Sequence, residues 1–178
     1  MKTLYKNLKV SACSKNIISN ANTVFYYIDS DFRNWNLDKE SSERNAEMFA
    51  VLEMDKNATF KEIFTNLDVM VMTHAQIIQF VQEHKDKLNK DWYTFFLFKV
   101  GNEFFVAGVR VCVDGQLGVG MHRFSRGHVW HAEYRHRIVV PQLALGYFEF
   151  SPSDTSLLES RIKSLEDDVD KIKKFLII

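Results

Sequence analysis

Apolar residues recur at two periods along this chain, and the switches between them outline its elements. After Thr73, Ile77, Phe80, Val81, His84 and Leu88 share one helical face, with Gln79, Gln82, Glu83 and Lys87 elsewhere. Thr73 and Gln76 form a capping box that starts this helix, and Thr59 with Glu62 forms another that starts a turn or two of helix towards Leu67. Glu47–Met54 reads as a short strand. Ser14 caps a short helix towards Phe25, with Ile17, Ile18, Ala21, Val24 and Phe25 on one side. The polar stretch from Asp29 to Glu47 reads as a long loop anchored by Trp35.

The centre alternates with period two. Tyr93–Val100, Phe104–Val113 and Gln116–Phe124 read as strands joined by Gly101-Asn102 and Asp114-Gly115, both treated as two-residue turns. The first turn sets Phe95 opposite Gly108, Phe96 opposite Ala107 and Phe98 opposite Phe105. The second sets Val111 opposite Gly118, Val109 opposite Gly120 and Arg110 opposite Val119. Ile138-Val139-Val140 is a fourth strand, at an edge or ended by Pro141.

This register divides the sheet into two apolar faces. Phe96, Phe98, Phe105, Val109, Val111 and Val113 share the first with Gly118 and Gly120, over which the helix from His74 is expected to pack. The second mixes Phe95, Leu97, Phe104, Val106, Val119 and Met121 with Tyr93, Lys99, Arg110 and Arg123. The N-terminal segment or a partner chain is expected to cover it.

In the last part of the chain the period changes again. Leu158, Ile162, Leu165, Val169, Ile172 and Leu176 step by four and three residues, the seam of a coiled coil. Ile162, Val169 and Leu176 take the a positions and Leu158, Leu165 and Ile172 the d positions, a combination that favours a parallel dimer. Ser151-Pro152-Ser153-Asp154 marks where the helix starts.

Lys+Arg and Asp+Glu balance at 23 each, which removes a bulk electrostatic case for nucleic acid or acidic lipid. Locally, acids outnumber bases between Asp29 and Glu62, whereas Arg123, Arg126, Arg135 and Arg137 face only Glu133 in the 122–137 segment. These arginines, interleaved with Phe124, Trp130 and Tyr134, have the ingredients for phosphate contact and base stacking. The alternative is that they pair with the acidic region. No apolar run is long enough for a signal peptide or a membrane span, so a cytoplasmic setting is expected.

Catalytic chemistry finds little support. His122, His128, His131 and His136 cluster with Glu133, near Cys112, but no familiar metal-ligand spacing joins them. Cys112 lies within a strand and reads as a small apolar residue, and Cys13 is far from it in sequence. Asp29-Ser30-Asp31 reads as a turn, and Gly118-Val119-Gly120 lacks the helix that a phosphate loop needs. No catalytic residue, metal or cofactor is assigned.

The stretches TFFLFKVGNEFFVA and EYRHRIVVPQL, with the ending KIKKFLII, resemble a set of short uncharacterised bacterial proteins, most closely from Thr94 to Leu143 and in the tail. The resemblance implies a bacterial intracellular setting and transfers no activity, cofactor or site. The sequence therefore predicts an α+β protein: residues 1–148 form an antiparallel β-meander packed with one main helix, and residues 151–178 an oligomerisation helix. The expected function is a non-enzymatic homo-oligomeric binding or scaffold protein, with Tyr93, Arg110, Arg123, Arg135 and Arg137 as binding residues and the chain itself as partner. Nucleic-acid binding through the 122–137 segment is the alternative, and a metal-dependent enzyme the second alternative.

Overall fold

A computed structural model describes residues 1–39, 43–146 and Lys163. The heptad seam and its helix start lie outside the described residues. The chain divides into two units, Met1–Leu145, which is compact, and Gly146–Ile178.

The fold is α+β. In chain order it comprises β1 (Lys2–Val10), β2 (Tyr27–Ile28), α1 (Asp31–Asn34), β3 (Glu47–Glu53), α2 (Phe60–Ile63), α3 (Leu67–Met70), α4 (His74–Glu83), β4 (Thr94–Val100), β5 (Glu103–Val111), β6 (Leu117–Arg123) and β7 (Arg137–Pro141). Short 3₁₀ turns occupy Ile18–Asn20, Lys85–Lys87, Ala132–Tyr134 and Gln142–Leu145. The strands form one mixed seven-stranded sheet, in the order β1-β3-β7-β4-β5-β6-β2. A plain antiparallel meander thus does not describe it, although β4, β5 and β6 pair antiparallel in sequence order.

Strand β7 is interior, parallel to β4 and antiparallel to β3. Its Ile138-Val139-Val140 run is apolar towards both faces, as an interior strand requires. Pro141 is its last residue, opposite Phe49, where the missing N–H costs least. The least readable segment of the sequence is β1, because its register against β3 shifts twice and Asn7 adopts φ 58°, which breaks the alternation.

The two hairpins behave differently. Gly101, at φ 61°, makes the expected tight turn, so Phe95 faces Gly108 and Phe98 faces Phe105. In the second, the Cys112 N–H donates to the Gln116 carbonyl and the Gly115 N–H to the Cys112 carbonyl, with Gly115 at φ 78°. The left-handed glycine thus closes a longer, bulged loop. Val111 consequently pairs with Leu117, Val109 with Val119, Arg110 with Gly118 and Gly108 with Gly120. That one-residue slip exchanges the faces of β6. Val119, Met121 and Arg123 stand on the first face; Gly118, Gly120 and His122 stand on the second.

The first face carries Phe96, Phe98, Phe105, Val109, Val119 and Met121 under α4 and the N-terminal segment. Phe80 of α4 meets Phe96 edge-on at 5.7 Å and Phe49 at 6.1 Å. The Thr73–Gln76 box is formed, with the Gln76 N–H donating to Thr73 Oγ1 and the Thr73 N–H to Gln76 Oε1. Helix α4 therefore packs over aromatic side chains, not over the glycines. From the N-terminal segment Ile18, Phe25, Phe32 and Leu37 are buried here as well, and Trp35 only partly. The expected helix from Ser14 is reduced to one 3₁₀ turn, and the Asp29–Glu47 stretch contains α1.

The second face is covered by the segment between β3 and α4 and by the loop before β7. Phe60 of α2 meets Phe95 at 5.2 Å, while Trp130 meets Phe95 at 4.6 Å and is held by a backbone bridge to Ala58. Phe95, Leu97 and Val106 are fully buried. Most of this face is core, and its cover is not the N-terminal segment.

Candidate functional site

The open end of the second face lies where Tyr93 precedes β4 and Arg110 closes β5. They are cross-strand neighbours, and the Arg110 guanidinium sits 6.0 Å from the centre of the Tyr93 ring. Beside them opens a groove of about 1090 Å³ between the Lys85–Trp92 segment and the β5–β6 hairpin. Trp92, Val111, Cys112 and Val113 supply apolar wall; Lys85, Lys90 and Arg110 supply charge.

One side chain organises the Trp92 wall. Asn89 Oδ1 accepts the N–H groups of Asp91 and Trp92, both at 3.0 Å, and Asn89 Nδ2 donates to the Arg135 carbonyl at 2.6 Å. The Asn89 N–H in turn donates to Thr94 Oγ1 on β4. This Asx turn presents the Trp92 indole, stacked on Tyr134 with centres 4.0 Å apart. Trp92 is still 42% exposed. Sequence reasoning missed it, although a tryptophan between turn-forming residues and a strand was a usable signal.

The other expected arginines do not join Arg110. Arg123 is on the opposite face, its guanidinium 4.1 Å over the Trp35 ring. Arg137 turns inward, Nη1 donating to the carbonyls of Lys87 at 2.7 Å and Leu88 at 2.9 Å, which ties the 3₁₀ turn after α4 to β7. Arg135, at φ 47°, borders a separate cleft of about 500 Å³ that also involves Trp92 and Tyr134. Arg137 lines that cleft too, whereas Arg123 stands apart from both, so the 122–137 segment does not make one basic surface. Ion pairs among the described residues lie elsewhere, between the N-terminus and Asp55 and between Lys87 and Asp86.

The histidines divide between surface and interior. His128 and His131 are exposed; His122 and His136 enter an aromatic cluster with Phe60, Tyr93, Phe95 and Trp130. His122 lies 5.3 Å and His136 5.2 Å from Trp130, centre to centre. Burial lowers the pKa of both to about 4; for His122 the nearby Arg126 adds to the shift and Asp29 opposes it. The Tyr93 backbone opposes it at His136 without reaching hydrogen-bond geometry, and no ring nitrogen of either histidine has a hydrogen-bond partner. Among the described residues no three His, Cys, Asp or Glu side chains converge on a metal position. Cys13 and Cys112 are free thiols, and burial raises the Cys13 pKa. The arrangement suits binding through stacking, apolar contact and charge.

No helix among the described residues is long and apolar enough to cross a membrane. Comparison of the chain with protein-family models, curated proteins and solved structures finds no match.

Proposed function

We propose that this chain is a non-enzymatic, cytoplasmic, homo-oligomeric binding protein, in which the C-terminal segment joins copies of a globular unit and the groove beside Arg110 holds the ligand. The observation that carries the reading is the uninterrupted seam Leu158, Ile162, Leu165, Val169, Ile172 and Leu176, which begins after the compact unit has closed at Leu145. An exposed apolar stripe of that length is stabilised in water by burial against another helix. Three heptads are marginal alone, so the globular unit adds to the association.

Light scattering on the full chain and on a chain ending at Pro152 tests the assembly. The full chain is expected at a multiple of 20.8 kDa and the shortened one at lower mass, with its circular dichroism otherwise that of a folded domain. Equal mass for both would remove the tail from the assembly.

A further inference from the structure

We infer that the groove between the Lys85–Trp92 segment and the β5–β6 hairpin binds a small aromatic carboxylate, with the ring against Trp92 and the carboxylate on Arg110. This deepens the binding reading above and rests on it.

Size and lining come first. A volume of about 1090 Å³ lies just above the usual span of small-molecule sites, about 300–1,000 Å³, which are apolar with a few placed polar groups. Val111 and Val113 line the groove on the hairpin side, and Val113 is fully exposed. The Trp92 indole, which also lines the groove, is already ordered by its stack on Tyr134 and by the Asn89 turn. A flat apolar ring has the pre-ordered indole to lie against, which lowers the ordering cost of binding.

Charge selects the rest of the ligand. Lys85, Lys90 and Arg110 line the groove against Asp86 and Asp91, and Asp86 is engaged by Lys87 at 2.6 Å. Neither Arg110 nor the two lysines form an ion pair among the described residues. The excess is therefore positive. Arg110 is the cation fixed on the sheet, at the end of β5 and beside the Tyr93 ring. Its planar fork matches a planar carboxylate, while the lysines on the turn add unspecific attraction.

The probes are 2-naphthoate, its neutral counterpart 2-naphthamide, and inorganic phosphate, titrated into the full chain. Quenching of tryptophan fluorescence reports binding, because Trp92 is the exposed tryptophan. The naphthoate is expected to bind about tenfold more tightly than the amide, and Arg110→Gln to remove that difference. Lys90→Gln is expected to lower affinity by about twofold to threefold and to weaken the salt dependence. Trp92→Phe keeps a ring in the wall and should retain binding while losing most of the quench. Equal binding of naphthoate and amide, or an unchanged preference in Arg110→Gln, overturns the carboxylate assignment. Displacement of naphthoate by phosphate at equal concentration also overturns it, in favour of a phosphate site. Light scattering on the same samples separates these results from the assembly reading, which fails if the full chain is monomeric or if the shortened chain keeps the same mass.

Discussion

The two faces of the sheet both hold buried core residues and are differently made. Under α4 the first face is a bed of Phe and aliphatic side chains, with His74 at the rim meeting Phe98 at 4.7 Å. The second face, under α2, α3 and the Trp130 loop, is built from Phe60, Tyr93, Phe95 and Trp130 around two histidines whose nitrogens find no partner. Bare backbone at Gly108 makes room for them. A methyl group there would stand 3.0 Å from the Tyr93 ring and 3.1 Å from His122 Nε2. One buried histidine, His74, thus stands at the first face and two stand in the second face, so the second face couples the larger part of its stability to proton concentration.

Acid is expected to break the comparison most strongly. His74, His122 and His136 all have folded pKa values of about 4, chiefly through burial, against an ordinary 6.5. The unfolded chain then binds more protons between pH 6.5 and 4, so stability is complete above about pH 6.5 and falls towards pH 4. From pH 7 to pH 5 full shifts at all three would account for about 5–6 kcal/mol, and solvent screening, greatest at His136, brings the expected loss below that. Denaturant midpoints measured across that range check the loss. Replacing His122 and His136 by Phe should reduce the slope by about two-thirds, leaving the His74 share. An unchanged slope would place the acid sensitivity outside the second face.

Truncation of the paired phenylalanines sharpens the contrast. Phe96→Ala under α4 and Phe95→Ala under Trp130 should each cost about 4 kcal/mol at pH 7, since both side chains are fully buried. Their behaviour at pH 5 should differ. Loss of Phe95, 5.1 Å from His136, admits water to that histidine, so its cost should shrink on acidification while that of Phe96 remains. Urea titrations of both variants at the two pH values measure this difference.

The smallest expected effect comes from the glycines. Gly108→Ala forces Tyr93 and His122 to move and should cost about 2 kcal/mol. Gly118→Ala meets only the Tyr27 side chain at 3.7 Å, an ordinary contact, and should cost under about 1 kcal/mol. Thermal unfolding of the pair is the check; equal losses would mean that the second face can absorb a methyl group.

How much of this was legible varies by element for physical reasons. A capping box is a local exchange of hydrogen bonds, and both boxes, Thr59–Glu62 and Thr73–Gln76, form where their residues stand. The Gly101-Asn102 turn is equally local, so the β4–β5 register follows from it. Asp114-Gly115 misled because one left-handed glycine serves either a two-residue turn or a bulged loop. The apolar set Leu117, Val119 and Met121, alternating with Gly118, Gly120 and His122, carried the correct register, since it continues the Val109 and Val111 face. Of the candidate site, Tyr93 and Arg110 were legible as residues of one sheet face; Trp92 and the lysines were not, because their position depends on the turn that Asn89 ties.

The sequence by itself determined the helix from His74, the first hairpin and a seam of heptads, because each depends on residues a few positions apart. Only the tertiary structure decided that β7 enters the sheet between β3 and β4, and that the N-terminal segment covers the Phe96 face. It likewise decided that Arg110 and Arg123 part to opposite sides. Those outcomes depend on which apolar surfaces meet across long stretches of chain, and the backbone hydrogen bonds and burial that select among the pairings exist only once the sheet is assembled.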